Sequence, residues 1–266
     1  MRLATKTPHQ VVAMRRAGLV VARTLAALRD VIAPGTTPRD LDALASRLIS
    51  EAGATASFLG YHGYPATICT SVNDVVVHGI PDDRPLRSGD VISIDCGAIV
   101  DGWHGDSAIT VGVGRLDEPV AALVAACERS LAAGIDAMVA QGRLGDIGAA
   151  VQSSVEASGS FGILTDFTGH GIGRAMHEEP FVPNYRTRRR GPRLDAGVVL
   201  AIEPMITLGD ADVSVDADGW TVRTDDGAVS AHVEHTVAIT PAGPWVLTAL
   251  DGPSTWEEAI GGHGTA

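Results

Sequence analysis

The chain is poor in the residues that most often staple or mark a small protein. Its three cysteines, Cys69, Cys96 and Cys127, are too few and too scattered for a disulfide framework or a zinc-finger pattern, so a reduced cytoplasm is the expected compartment. Basic surplus is absent too. The net charge is −12, which argues against nucleic acid as a principal ligand and against a specific DNA partner, because phosphate binding needs a basic surface. No apolar run approaches the length of a membrane span, and the stretch from Met1 to Pro8 has no apolar core of a secretory signal. Aromatics are only 4% of the residues, so a local cluster of them carries information. The hydrophobic share of 45% in 266 residues is that of a globular protein with a real core, fitting one large domain or two small ones.

Against that background, two stretches share one pattern. Leu86 to Asp95 and Leu194 to Glu203 both read L-x-x-G-x-V-x-x-I-[D/E]: a glycine turn, a short apolar run, then one acid. Apolar runs of this length between turn signals are buried strands. A carboxylate at the end of such a strand is costly unless it is paired or holds a metal. His78-Gly79-Ile80 precedes the first stretch and His170-Gly171-Ile172 the second. A second acidic pair follows, Asp106 to Val111 and Glu234 to Ile239, each with an acid opening a strand. Three matches in the same order point to a duplicated fold.

The helical signals repeat as well. Thr7-Pro8 and Thr37-Pro38 are N-cap and first-turn pairs, opening apolar periodicities from Val11 to about Ile32 and from Leu41 to about Gly53. In the second half, helices are expected from Asp117 through Met138 and from about Asp146 to Ala157. Each half is then two helices followed by strands. The expected fold is α+β, with pseudo-twofold halves at about 7–112 and 117–240, a shared central antiparallel sheet and helices outside. No Pro-, Ser- or Gly-rich linker divides the halves, so residues 1–250 are expected to form one catalytic domain. Residues 251–266, Gly-rich and weakly patterned, are expected to form a mobile tail.

Asp95, Asp106, His170, Glu203 and Glu234 make a donor set of four carboxylates and one imidazole. It suits Mn, Fe(II), Co or Zn better than a thiolate-selecting metal. Around a single divalent ion, four carboxylates leave excess negative charge, and two ions balance it better.

These residues sit in motifs that resemble a family. Tyr61-His62-Gly63-Tyr64-Pro65, Asn73-Asp74 with His78-Gly79-Ile80-Pro81, Asp101 to Asp106, Gly169-His170-Gly171, His177-Glu178-Glu179-Pro180, Ile202-Glu203-Pro204-Met205 and Glu234-His235-Thr236 are together similar to the type I methionine aminopeptidases. These have the pita-bread fold shared with prolidase, aminopeptidase P and creatinase, and the resemblance runs from about residue 5 to about 250. It implies two divalent ions, bridged by Asp106 and Glu234, with Asp95 terminal on one and His170 and Glu203 on the other. It implies that His78 contacts the scissile amide region, that His177 stabilises the tetrahedral intermediate, and that Glu203 shuttles a proton. It implies a methionine pocket walled by Phe58, Tyr61, Tyr64, Cys69, Met176 and Trp220, with Phe58 where a Cys is frequent and Met176 where a Phe is frequent. Asn73, Val75 and Ser230 match positions that give oxygens to a monovalent cation, although Asn73-Asp74 is equally a plain turn signal.

The resemblance further implies removal of the initiator methionine from nascent chains when the second residue is small, by a monomer touching the ribosome at most transiently. The basic run Arg186, Arg188, Arg189, Arg190 and Arg193 reads first as a solvated loop, with ribosomal RNA as the alternative. Two other readings stay open: a proline-directed peptidase of the same fold, for which 266 residues leave little room for the usual extra N-terminal domain, and a non-catalytic relative, which loses ligands that are all present here. His9, His62, His104, His232, His235 and His263 are taken as ordinary turn or core histidines, with His62 near the cleft mouth.

Overall fold

The computed structural model describes residues 3–261. Both capping expectations are met. Thr7 caps helix α1 (Pro8–Val31) in a reciprocal box with Gln10, and Thr37 caps α2 (Pro38–Glu51) with Asp40. Helices α3 (Glu118–Ala137) and α4 (Leu144–Ser158) occupy the matching places in the second half, and a short α5 (Trp256–Ala259) follows the last strand. Among the described residues no helix is long and apolar enough to cross a membrane.

The first half supplies strands β1 (Thr55–Ala56), β2 (Ile68–Val72), β3 (Val75–Val77), β4 (Val91–Val100) and β5 (Trp103–Gly112). The second supplies β6 (Gly162–Ile163), β7 (Gly169–Gly171), β8 (Glu178–Val182), β9 (Val199–Ile202), β10 (Met205–Thr207), β11 (Val213–Val215), β12 (Val222–Thr224), β13 (Ser230–His232), β14 (Glu234–Thr240) and β15 (Gly243–Val246). Nine of them form one sheet in the order β1-β4-β5-β14-β9-β7-β8, with β2 also on β4 and β15 also on β14. All its recorded pairings are antiparallel. The two halves meet at the β5–β14 seam, so β4–β5 and β9–β14 are related across it. This is the pita-bread architecture.

The core divides the same way. Val21, Leu25, Leu28 and Leu41 of the first helix pair pack on Ile68, Ile92 and Ile94, while Leu123, Cys127, Ile147 and Val155 of the second pack on Leu200, Ile202, Val237 and Ile239. Helix α1 lies directly on β5 because Gly105 permits it, and Gly18 admits the segment after β15 against the helix. A Cβ on Gly105 would stand 2.6 Å from the Gly18 backbone nitrogen, and one on Gly18 would stand 2.2 Å from the Leu247 carbonyl oxygen. One turn earlier on α1, Arg15 is 2% exposed, and its guanidinium donates to the carbonyl oxygens of Leu247, Ala249, Asp251 and Pro253.

Three expectations are corrected. Asp95 and Asp106 do not stand at strand termini. They lie inside β4 and β5, which run on for ten residues each as a long hairpin joined at Asp101-Gly102. The second half behaves as expected, with Glu203 directly after β9 and Glu234 opening β14. The segment from Asp251 is folded as far as it is described, held by Arg15 and ending in α5; residues 262–266 of the expected tail lie outside the described residues. Two further three-stranded sheets, β13-β10-β6 and β11-β12-β3, were not expected.

Candidate metal centre

Register brings the acids together. Asp95 on β4 pairs with Ala108 on β5, and Ala108 pairs in turn with Glu234 on β14. Residues in one row share a face, as do residues two apart on a strand. Asp95, Ala108 and Glu234 therefore form a row on one face, and Asp106 joins it from two positions away. Ala108 is the small residue that leaves room between the flanking carboxylates. On the other side of β14, His235 pairs with Ile202, and Ala201 pairs with His170, which sets Glu203 and the imidazole beside Glu234. Hydroxyls brace the seam: Thr236 Oγ1 donates to the Asp106 carbonyl oxygen at 2.8 Å and Ser107 Oγ to that of Glu234 at 2.6 Å.

Ligand atoms of Asp106, His170 and Glu234 lie within 4.8 Å of one another, all three buried. Asp95 Oδ1, Asp106 Oδ1 and Glu234 Oε1 are enclosed without any hydrogen-bond partner among the described residues, which is expensive for carboxylates. Burial pushes Asp95 up to about 7. Burial raises Asp106 as well, reinforced by Glu234 and Asp95, and raises Glu203 and Glu234 with help from their acidic neighbours. Without positive charge in their midst these acids hold protons.

The sharpest sign of a cation site is at His170. Its Nδ1 lies 2.9 Å from the Gly171 carbonyl oxygen. A carbonyl only accepts, so Nδ1 carries the proton and Nε2 is bare. Burial, then His177, pushes the ring down to about 4, so it is neutral. Yet the bare Nε2 faces Glu203 Oε1 at 3.5 Å. With Glu203 ionised, two acceptors face each other, and a cation between them would relieve the repulsion that otherwise falls to a proton on the acid. Imidazole nitrogen, carboxylate oxygens and a fixed outer hydrogen bond are the usual surroundings of Mn, Fe(II), Co or Zn.

Every candidate for the metal set and the side-chain pocket lines one cavity of about 120 Å³: Phe58, Tyr61, Tyr64, Cys69, His78, Asp95, Asp106, His170, Met176, His177, Glu203, Trp220 and Glu234. Gly97, opposite Asp106, lets Phe58 reach the centre, since a Cβ there would stand 2.9 Å from its ring. Burial keeps the Cys69 thiol protonated, so it is an apolar wall. Tyr64 packs edge-on to Trp220, with its hydroxyl donated to the Ile68 and Gly79 carbonyl oxygens. The Tyr61 hydroxyl lies 2.8 Å from His177 Nδ1. His78, in left-handed backbone conformation at φ 59°, stands edge-on to Phe167 and Trp220, and burial lowers it to about 4. A wider cavity of about 430 Å³ adjoins the first, sharing His78, His170, His177 and Glu203 and opening past Phe167 and Phe181.

Asn73, Val75 and Ser230 also converge: Ser230 Oγ is 2.9 Å from the Val75 carbonyl oxygen and 3.2 Å from that of Asn73. The arginine run is an exposed loop, with Arg186 paired to Glu156 and Arg190 to Asp146 of α4. Two residues near the centre were missed from sequence. Asn184, fully buried, donates from Nδ2 to the Glu203 carbonyl oxygen at 3.0 Å. His232, 1% exposed, puts Nε2 3.7 Å from Glu203 Oε2. Its place two residues before Glu234, on the same face, was the available signal.

A buried set of acids and one imidazole, arranged across the seam of a duplicated sheet beside a closed apolar pocket, defines a metallopeptidase. The chain belongs to Metallopeptidase family M24, which it matches over residues 12–241. It is 55% identical over 242 residues to methionine aminopeptidase 1 of Mycobacterium tuberculosis, covering 89% of this chain and 91% of the relative. It is 45% identical to methionine aminopeptidase 1 of Bacillus subtilis, covering 92% of this chain and 98% of that one. The crystal structure of the Thermotoga maritima methionine aminopeptidase superposes with a TM-score of 0.90 at 41% identity, over 93% of this chain and 99% of that chain. The Pyrococcus furiosus prolidase, with a TM-score of 0.73 and 20% identity over 93% of this chain and 66% of its own, shares the fold.

Proposed function

We propose that the chain removes the N-terminal methionine from new polypeptides whose second residue is small, using two divalent ions. The observation that carries the metal reading is the bare His170 Nε2 facing Glu203 Oε1 at 3.5 Å amid enclosed carboxylate oxygens that have no partner. Asp106 and Glu234 would hold both ions, Asp95 one, and His170 with Glu203 the other. Bound there, divalent cations supply Lewis acidity, acidifying water and polarising a carbonyl.

The chain's own residues do the rest. The apolar walls from Phe58 to Trp220 take one unbranched side chain, and the Met176 thioether and the aromatic rings suit a methionine. A Tyr61 hydroxyl donated to His177 Nδ1, 2.8 Å away, would leave the ring proton on Nε2, where it can donate to oxygen charge developing on the scissile carbonyl. His78, on the rim common to both cavities, contacts the scissile amide. Glu203, raised by burial, is placed to take a proton from water and pass it to the leaving amine. The wider cavity then receives the rest of the peptide. The Asn73 and Val75 carbonyl oxygens with Ser230 Oγ are the candidate oxygens for a monovalent cation.

Metal analysis of the purified protein, with turnover of Met-Ala-Ser against Xaa-Pro dipeptides, tests the reading. Expected are two ions per chain and cleavage of the tripeptide alone. Preference for Xaa-Pro dipeptides would make it a proline-directed peptidase, and tight metal without turnover a binding protein.

A further inference from the structure

His232 is a buried histidine whose Nε2 has no hydrogen-bond partner among the described residues, although such groups are rarely left so in native proteins. It is held rigidly. Its backbone N–H lies within reach of Ser93 Oγ at 3.2 Å and Thr110 Oγ1 at 3.1 Å, and its carbonyl oxygen accepts from Thr110 Oγ1 at 2.6 Å. Strand pairing opposes it to Met205, two residues beyond Glu203. The result is that the Glu203 carboxylate stands between two imidazoles, with Oε1 3.5 Å from His170 Nε2 and Oε2 3.7 Å from His232 Nε2.

The two contacts are not equivalent. His170 gives its ring proton to Gly171 and meets Glu203 bare. Among the described residues no carbonyl claims the His232 proton in the same way, and His232 does not line the metal cavity. A bare Nε2 turned toward a carboxylate would repel it, whereas a protonated one attracts it. We propose that His232 is a positioning residue: its Nε2–H holds Glu203 Oε2 from behind, so that Glu203 presents Oε1 to the ion and keeps one orientation for proton transfer. This rests on the reading of Glu203 as ligand and proton shuttle. It follows a common arrangement in which an outer group fixes a metal-binding side chain.

The test uses the metal-loaded protein. In ¹⁵N-labelled wild type, the His232 ring should show the Nε2–H tautomer; the Nδ1–H tautomer overturns the proposal without any mutation. His232→Leu, checked for an intact fold by circular dichroism, should bind Mn(II) about 10- to 100-fold more weakly by calorimetry, the usual scale for losing such an outer contact. Its kcat on Met-Ala-Ser should fall with KM little changed. His232→Gln, whose side-chain amide can offer an N–H near the position of imidazole Nε2, should recover most of both losses. Wild-type affinity and kcat in His232→Leu, or equal impairment of the Leu and Gln variants, overturns it. Glu203→Gln separates the layers: wild-type metal content and turnover there would remove the ligand reading itself, whereas a damaged Glu203→Gln beside a normal His232→Leu removes only the role of His232.

Discussion

The two halves of this chain start from one pattern and end with different work. In the first, the acids Asp95 and Asp106 sit on a single uninterrupted hairpin, β4–β5, paired rung by rung from Val91↔Gly112 to Val100↔Trp103. In the second, Glu203 and Glu234 are separated by β10 to β13. That insertion carries Trp220 of the pocket and His232 behind Glu203. The histidines diverge too. His170 pairs within the sheet and turns its bare nitrogen to the acids, while its counterpart His78 sits at φ 59° among Phe167 and Trp220. Both halves thus wall the pocket, and the second adds Trp220 to it and a histidine behind Glu203.

The largest expected effect tests what the halves still share. Asp106→Ala and Glu234→Ala should each abolish turnover and lose bound metal, with circular dichroism unchanged. Near-normal turnover and metal content in either variant would end the two-ion reading. The next tests where the halves part. His170→Ala should lose metal, whereas His78→Ala should keep it. His177→Ala should also keep its metal while kcat falls about 10²-fold, the scale of one lost oxyanion donor. Metal loss in His177→Ala, by elemental analysis, would reassign it as a ligand.

A smaller effect belongs to the pocket that both halves wall. Met176→Ala should lower the preference for Met-Ala-Ser over Leu-Ala-Ser by about 1–3 kcal/mol in kcat/KM, while Met-Leu-Ser stays poor. A ratio within about twofold of wild type, below ~0.5 kcal/mol, would take Met176 out of the pocket wall.

The smallest effect is on stability. In metal-stripped protein, burial raises all four acids, Asp95 to about 7. The native state therefore holds protons that the unfolded chain, with ordinary carboxyls near ~4, has released. Stability from these groups falls as pH rises through 7. The buried histidines, shifted downward, act in the opposite sense until the unfolded-state imidazoles have lost their protons, about one unit above their ordinary ~6.5. Melting temperature should thus drop as pH rises above about 7.5, and added Mn(II) should raise it more at the upper end. A flat profile would mean the acids are compensated from within the protein.

Much of this was legible in the sequence because the duplication repeats chemistry as well as hydrophobicity. The Thr-Pro caps fixed where α1 and α2 begin, and the repeated L-x-x-G-x-V-x-x-I-[D/E] marked the acids and their order. The strand limits of the first half were not legible, because a carboxylate inside an apolar run looks like its end. The hairpin continues past Asp95 because its neighbours Cys96 and Ala98 are fully buried and the acid faces a polar centre contributed by the other half. His232 escaped for a related reason. Its spacing from Glu234 hinted at the same face, but its contact with Glu203 depends on the pairing of Met205 with His232, which joins segments distant in sequence.

Arg15 on the first helix has a consequence for timing. Its guanidinium is satisfied by carbonyl oxygens of residues 247–253, and a buried charge stripped of its partners is strongly destabilising. During synthesis α1 is made well before residues 247–253. A chain that has not yet released its final strand has nothing to offer Arg15, so α1 can form early but cannot settle onto β5 in its final packing. Completion of the fold, and with it the seam that holds the acids, therefore waits until residues 247–253 have been made.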